Sequence, residues 1–456
     1  MESIHYQELV CEHDTLEFIL SGTECFVTNA IRRAMIADVN IVAFPETRKG
    51  ENHVPFVTLF MEREMDMSVN RRYELGFIDV IQNTSNMTSE ILINRIVALP
   101  LHLSVQTFLK CPEKFTFFID VENKSDLQVI DVTTADIRFF QEDEVKEDAD
   151  EETLSKEEPE QSIFPGYIYH LPQEVVNMVN TEIPEAQLET SSVQHVLITR
   201  LCPGQRIFVK MRPTVSSGFF HAAFSPVTKC FYSNVLDEKQ IAEQRDFRKE
   251  DPKALQQLEL HDKYRYFTRN QAGQANSFHF VAKSVGPMHV KQITLDAISS
   301  ILSRLVCLKE SISLQNIEHE SLKSGLIGCY LRVTEIVPSR CIKGMSVYRN
   351  FGHTIGNLVQ GVLFYECVCN DSDSLAAVAY KKPYPLDPSH EFDFGLDRDA
   401  SFPHALNPFL EFHFAWHCEE KENFDFVANI RNRIGLVENY VVNIRDCIGT
   451  DTLIKK

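Results

Sequence analysis

VANIRNRIGLVENYVVNIRDCI, residues 427–448, holds the clearest clue to the fold. Val427, Ile430, Ile434, Val437, Val441, Ile444 and Ile448 follow one another at alternating intervals of three and four. On a helix that spacing lays all seven on one narrow stripe, which suits pairing with another helix better than covering a broad face. Leu295, Ile298, Leu302 and Leu305 repeat the pattern within 294–308. Each of these two helices is expected to close one half of the molecule and to meet helices of the other half. A third helix is announced by Ser21-Gly22-Thr23-Glu24, which has the form of a capping box. Phe26, Val27, Ala30, Ile31, Ala34 and Met35 then recur on one face.

Between the helices the period changes to two. Ile207, Val209 and Met211 line one face of a strand after the turn at Pro203-Gly204. Leu410, Phe412, Phe414, Trp416 and Cys418 line another. Strands mixed with single long helices predict α+β modules rather than a doubly wound sheet. At 456 residues the chain has room for roughly three compact units. The run 310–324 reads as a connector, and 236–274 as a polar excursion with one short helix.

The net charge of −20 argues against a surface built to grip nucleic acid, which needs excess cations. Much of it is local: Gln141–Gln161 holds eleven acids against two lysines, too polar to fold alone, and is expected to be a mobile loop. The twelve cysteines are scattered, with no C-x-x-C pair, which opposes a structural zinc module or a dense disulfide framework. Residues 1–6 lack the basic and apolar regions of a signal peptide, and no apolar run reaches the ~18 residues of a membrane span. The expectation is a reduced, soluble, intracellular protein.

Candidate chemistry is thin. His413 and His417 lie on one strand face but ~13 Å apart, too far to share a zinc. Glu391-Phe-Asp393-Phe-Gly395-Leu-Asp397-Arg-Asp399 contains a D-F-G triplet, yet no H-R-D loop or Gly-rich phosphate loop accompanies it. Its spacing is also wrong for three carboxylates on one magnesium. His221, near Ser225 and Cys230, has no nucleophile elbow around it. A non-catalytic protein is expected.

Several stretches together resemble a known family. They are Thr28-Asn29-Ala30-Ile31-Arg32-Arg33-Ala34-Met35, then Asn83-Thr-Ser-Asn-Met-Thr-Ser-Glu90 with Asn94-Arg95-Ile96-Val97-Ala98-Leu99-Pro100-Leu101. Pro203-Gly204-Gln205 follows, with Gly218 and His221-Ala-Ala-Phe-Ser-Pro-Val227, then Ser284-Val-Gly-Pro287. In this order they are similar to the third-largest subunit of eukaryotic RNA polymerase II, the archaeal D subunit and the bacterial α subunit. Gly352-His353-Thr354-Ile355-Gly356-Asn357-Leu358, with Lys382-Pro-Tyr-Pro-Leu386, resembles their small partner, the archaeal L or eukaryotic eleventh subunit. An internal echo agrees: Asn29-Ala30-Ile31 and Asn357-Leu358-Val359 each open a capped helix, as if two diverged copies were joined head to tail.

The resemblance implies an α+β pseudo-dimer of two RNA polymerase α-amino-terminal-like dimerisation modules. The first uses residues 1–44 and 199–310, with a mostly β inserted domain at 45–198; after a connector at 311–324, the second spans 325–456. It implies a non-catalytic platform that nucleates assembly of the two largest, catalytic polymerase subunits; the alternative is a free-standing transcription adaptor of the same fold. Asn29, Arg32, Arg33, Asn94 and Arg95 would face the second-largest subunit. His353, Thr354 and Asn357 would join the intramolecular interface with the two heptad helices. A small subunit equivalent to the archaeal N or eukaryotic tenth subunit would also bind. No sequence-specific nucleic-acid contact and no membrane contact are implied. Relatives carry a cysteine cluster in the inserted domain, whereas only Cys111 lies there, so no zinc, iron–sulfur or other cofactor is expected. Fused forms resemble those of large cytoplasmic DNA viruses, placing the protein in the host cytoplasm (viral factory) and virion, or in the nucleus of a cellular source.

Overall fold

The computed structural model describes residues 3–45, 76–110, 115–139, 195–219, 221–270, 273–285, 288–313, 329–336, 341–349, 352–369, 375–381, 409–417 and 426–450. Helix and sheet are mixed throughout, as the α+β reading expects. The acidic run 141–161, the Glu391–Asp399 motif, Lys382–Leu386, Cys111 and all but the first residues of the 311–324 connector lie outside the described residues.

The chain begins with strands β1 (His5–Cys11) and β2 (Thr15–Ser21), helix α1 (Cys25–Ala37) and strand β3 (Asn40–Ala43). Next come β4 (Phe77–Asn83), α2 (Ser89–Val97), α3 (Val105–Lys110), β5 (Phe117–Glu122), β6 (Ile130–Thr133) and β7 (Ile137–Phe139). They are followed by β8 (Leu197–Leu201), β9 (Arg206–Arg212), β10 (Thr214–Ser217), β11 (Val227–Asn234), α4 (Glu238–Phe247), α5 (Pro252–Leu260), β12 (Ser277–Ser284) and α6 (Val290–Ser313). The last part holds β13 (Cys329–Ile336), β14 (Cys341–Arg349), α7 (His353–Leu363), β15 (Leu375–Lys381), β16 (Phe409–His417) and α8 (Phe426–Thr450).

Two antiparallel four-stranded sheets have the same plan. One runs β1-β2-β12-β11, the other β13-β14-β16-β15. In each, a helix follows the second strand and a long helix follows the last. Period-two burial explains the sheets: Leu16, Phe18 and Leu20 of β2 and Phe280 and Ala282 of β12 turn inward, as do Leu410, Phe412, Phe414 and Trp416 of β16. Phe18 stacks on Phe280 at 4.9 Å, and Phe414 on Trp416 at 5.3 Å. A single apolar core runs from one sheet to the other through α1, α6, α7 and α8. On α8, Ile430, Ile434, Val437, Val441, Ile444 and Ile448 are all buried, each stabilising the fold by about 2 kcal/mol.

A third sheet, β4-β9-β5-β7, and the pair β6-β8 share a separate core with α2. Here a boundary changes. The expected border at 198/199 would cut through β8 and leave β9 outside the inserted unit, but β9 pairs with both β4 and β5. Ile207, Val209 and Met211 face that second core, so the unit runs to Arg212 before β10 returns to pair with β3.

Three local expectations also give way. Ser21 ends β2, and Gly22, at φ 74°, turns the chain into α1. The N-cap is Glu24, without a side-chain cap, so the capping box does not form. Gly352 caps α7, again without a side-chain bond. Asn29 and Asn357 therefore sit inside their helices rather than opening them, each at the fifth position. The polar excursion contains two helices, not one. Asp237 and Asp251 cap them by accepting from backbone N–H groups, and Pro252 fills the first turn of α5.

Candidate functional site

Helix α1 buries Val27, Ala30, Ile31, Ala34 and Met35 and turns Asn29, Arg32 and Arg33 away from that stripe. Asn29 Oδ1 accepts from Arg32 Nε and Nη2 at 3.2 and 3.0 Å, which fixes the guanidinium over one turn. No carboxylate pairs with Arg32 among the described residues. Beneath it, burial pushes the Cys230 thiol up to about 12, an effect the Arg32 charge partly offsets. Burial likewise raises Tyr232 to about 12, helped by its Cys25 contact and opposed by Arg32. Cys230 thus stays a protonated, unreactive thiol.

Arg33 points elsewhere. Its Nε donates to Thr354 Oγ1 of α7 at 2.9 Å, and its charge lies near Tyr380, whose phenol burial raises above the usual value. The two neighbouring arginines are therefore divided: Arg33, although exposed, bonds across the seam between the halves, while the half-buried Arg32 is held within its own helix by Asn29. Thr354 lies on that seam. His353 and Asn357 are exposed on the same helix, and the His353 ring meets Tyr380 within its own half.

Sequence reasoning missed what surrounds this contact. The Phe26 ring of α1 lies against the backbone of Gly361 in α7: a Cβ there would stand 2.7 Å from Phe26 Cδ2. The same ring stacks on Tyr365 at 5.9 Å, and Tyr365 donates to Gln274 Oε1. Tyr440 of α8 donates to Thr23 Oγ1 at 3.1 Å. Lys309 of α6 pairs with Glu438 of α8 at 2.8 Å. Arg304 makes a two-pronged bond to Asp38, at 2.9 and 2.7 Å, tying α6 to the end of α1. Of the predicted seam residues on α6, Ile298, Leu302 and Leu305 are buried, and Leu295 packs partly buried against the same core. Nothing about the side chain of Val427 is described.

Asn94 and Arg95 are exposed on α2, away from α1 and in the other core's unit. Arg95 Nη2 donates to Leu197 O at 3.0 Å and ties its helix to β8. The Asn83–Ser89 stretch is likewise knitted together: Asn83 Oδ1 accepts from Ser85 N and Oγ, and its Nδ2 donates to Met87 O. His221 caps a single turn by accepting from Ala223 N at 3.2 Å. Among the described residues no three His, Cys, Asp or Glu side chains converge in a way that could hold a metal ion. No helix among them is long and apolar enough to cross a membrane.

No protein-family model matches the chain, and no characterised protein matches it significantly.

Proposed function

We propose that this protein is a non-catalytic assembly platform of a multisubunit DNA-directed RNA polymerase, made of two dimerisation modules fused in one chain. The supporting observation is a reciprocal contact. Aligning Asn29 with Asn357, the fifth residue of each helix, sets Arg33 against Gly361 and Phe26 against Thr354. Arg33 touches Thr354, and Phe26 touches Gly361. In a two-fold pair, a contact between i and j implies its mirror, and that is the pattern found. The identical strand order of the two sheets agrees with it.

In this reading the long helices α6 and α8 stand where two separate chains would dimerise. Fusion raises the effective concentration of the partner module to roughly millimolar and makes the pair obligate. The modules have since diverged: the arginine side of the contact keeps its cations, while the other side has Gln360 and Gly361. Arg32, half-buried, fixed by Asn29 and paired with no carboxylate among the described residues, is the residue this reading offers to the second-largest polymerase subunit. Asn94 and Arg95 form a separate outlying contact on the inserted unit. The small tenth-subunit equivalent binds the same platform, and the complex acts in the cytoplasm of an infected cell.

Affinity purification of the tagged full-length chain from its native cells tests the reading. The two largest polymerase subunits are expected in the eluate, and Arg32→Glu should remove the second-largest. An eluate with neither large subunit would overturn the proposal and favour a free-standing adaptor.

A further inference from the structure

The outermost strand of the first sheet is open along one side. β11 pairs with β12 alone, in regular register from Lys229 to Asn234. Val235 N donates to Ser277 O, which continues that ladder. Backbone groups alternate sides along an antiparallel strand, so Cys230, Tyr232 and Asn234 turn their N–H and C=O away from β12. On that side these groups meet no hydrogen-bond partner among the described residues.

Two comparable edges are blunted. β1 carries a register shift between Glu8 and Val10. β15 holds in the second sheet the place of β11 in the first, and there Tyr380 N donates to Gln360 Oε1 at 3.0 Å. Counted from Asn29 and Asn357, Gln360 is the counterpart of Arg32. Arginine has no acceptor, so it cannot close the β11 edge in the same way.

The surroundings of the open edge are cationic. α1 lies over β11: Cys230 Sγ stands 3.9 Å from Arg32 O and 3.8 Å from Met35 Sδ. Between them, α1 and β11 hold Arg32, Arg33 and Lys229 and no carboxylate. The caps of α1 are engaged, Glu24 with Asn270 and Asp38 with Arg304. The carboxylates in this sheet's strands are Glu8, 2.8 Å from Lys291, and Glu17, 3.7 Å from His279. Past the end of β11, Asp237 caps α4 and Glu238 begins it. On the outer face Phe231 is 42% exposed, with Lys229 Nζ 5.0 Å over its ring.

A row of free main-chain donors and acceptors is completed by another strand, and Arg32 by an acid on that strand's inner face. A second copy of β11 would set these cations against their own kind, which opposes self-pairing. We propose that the β11 edge accepts an added β-strand from another protein, an extended segment with acidic residues on its inner face and apolar residues on its outer one. The acids meet Arg32 and the apolar groups cover Phe231. This specifies how the Arg32 face recognises a partner and stands without the polymerase reading.

Fluorescence anisotropy on the purified full-length chain tests it, with a labelled peptide alternating aspartate and valine. Lysine in place of aspartate should abolish binding. Two twins of the probe, N-methylated on every aspartate or on every valine, separate strand addition from side-chain docking. Only one should keep binding, because a strand presents alternate amides to its neighbour. Loss on methylating the aspartates marks antiparallel addition, and loss on methylating the valines marks parallel addition. Arg32→Gln should weaken the unmodified probe at least about tenfold, with circular dichroism unchanged. If that variant loses the native dichroism, Phe231→Ser gives a second reading, with the same direction expected. No binding of the probe, equal behaviour of the two methylated twins, or unchanged affinity in the folded variant would each overturn the proposal. A dimer of the chain on size-exclusion chromatography that the probe disperses would overturn it in favour of a second copy. A chain that fails these tests yet captures the large polymerase subunits from cells would sink this proposal alone.

Discussion

Phe26 and Gly361 meet across the seam between the two halves, the aromatic ring lying where any side chain at 361 would have to go. Phe26 also stacks on Tyr365, so the ring is fixed from two sides and cannot simply swing away. Gly361→Ala should therefore overpack the seam and destabilise the chain by about 1–3 kcal/mol, although alanine favours a helix more than glycine does. Urea denaturation measures this. A stabilised Gly361→Ala variant would mean that the seam is slack.

The two arginines of α1 should separate in their effects. Arg33→Ala removes the bond to Thr354 and should lower stability by about 1 kcal/mol. Arg32→Ala should leave the unfolding midpoint within about 0.5 kcal/mol of wild type while weakening partner capture. Equal stability losses in both would show that the division is not real.

The halves should unfold as one. Their core is continuous, and Ile434 lies deep in it on α8. Ile434→Ala should cost about 2–5 kcal/mol. Trp416, the single tryptophan, reports on the second sheet, whereas far-ultraviolet dichroism reports on all helices. In wild type and variant alike, the fluorescence change should coincide with the loss of α6–α8 helicity. Fluorescence lost well before those helices melt would contradict a shared core.

Acid should loosen the junction between the β1–β2 turn, the start of α6 and the loop at His102. His13 and His289 rings lie 5.6 Å apart, and Val290 N donates to His13 O. Burial, then the His13 charge, holds His102 below the usual histidine value. His289 is lowered by burial, then by His13 and Lys291, with Glu8 opposing. Groups with depressed folded-state values take up protons more readily in the unfolded chain. Their contribution to stability is full above about pH 6.5 and is lost as the pH falls from there through the depressed values. The thermal midpoint should fall between pH 7 and pH 5, and His102→Gln should flatten that slope. An unchanged slope in the variant would remove His102 from the effect.

What the sequence discloses here depends on whether a signal is local. The three-four spacing from Ile430 to Ile448 and the alternation from Leu410 to Trp416 are each set by one element's own geometry, and the structure buries those residues. The alternation of Ile207, Val209 and Met211 was equally legible, but it is the same whichever sheet the strand joins, so the border at Arg212 was not. Asp237 and Asp251-Pro252 did carry cap signals for two helices, masked by the polarity around them. On α1, the pair Arg32-Arg33 was visible as a feature, but its division was not. That depends on Thr354, Phe26 and Gly361, brought together only by tertiary folding.

The most direct measurement is the stoichiometry of the purified assembly by native mass spectrometry. A platform that carries both dimerisation modules in one chain should appear once for each pair of largest polymerase subunits. Two copies per pair, or a chain that never appears with those subunits, would contradict it.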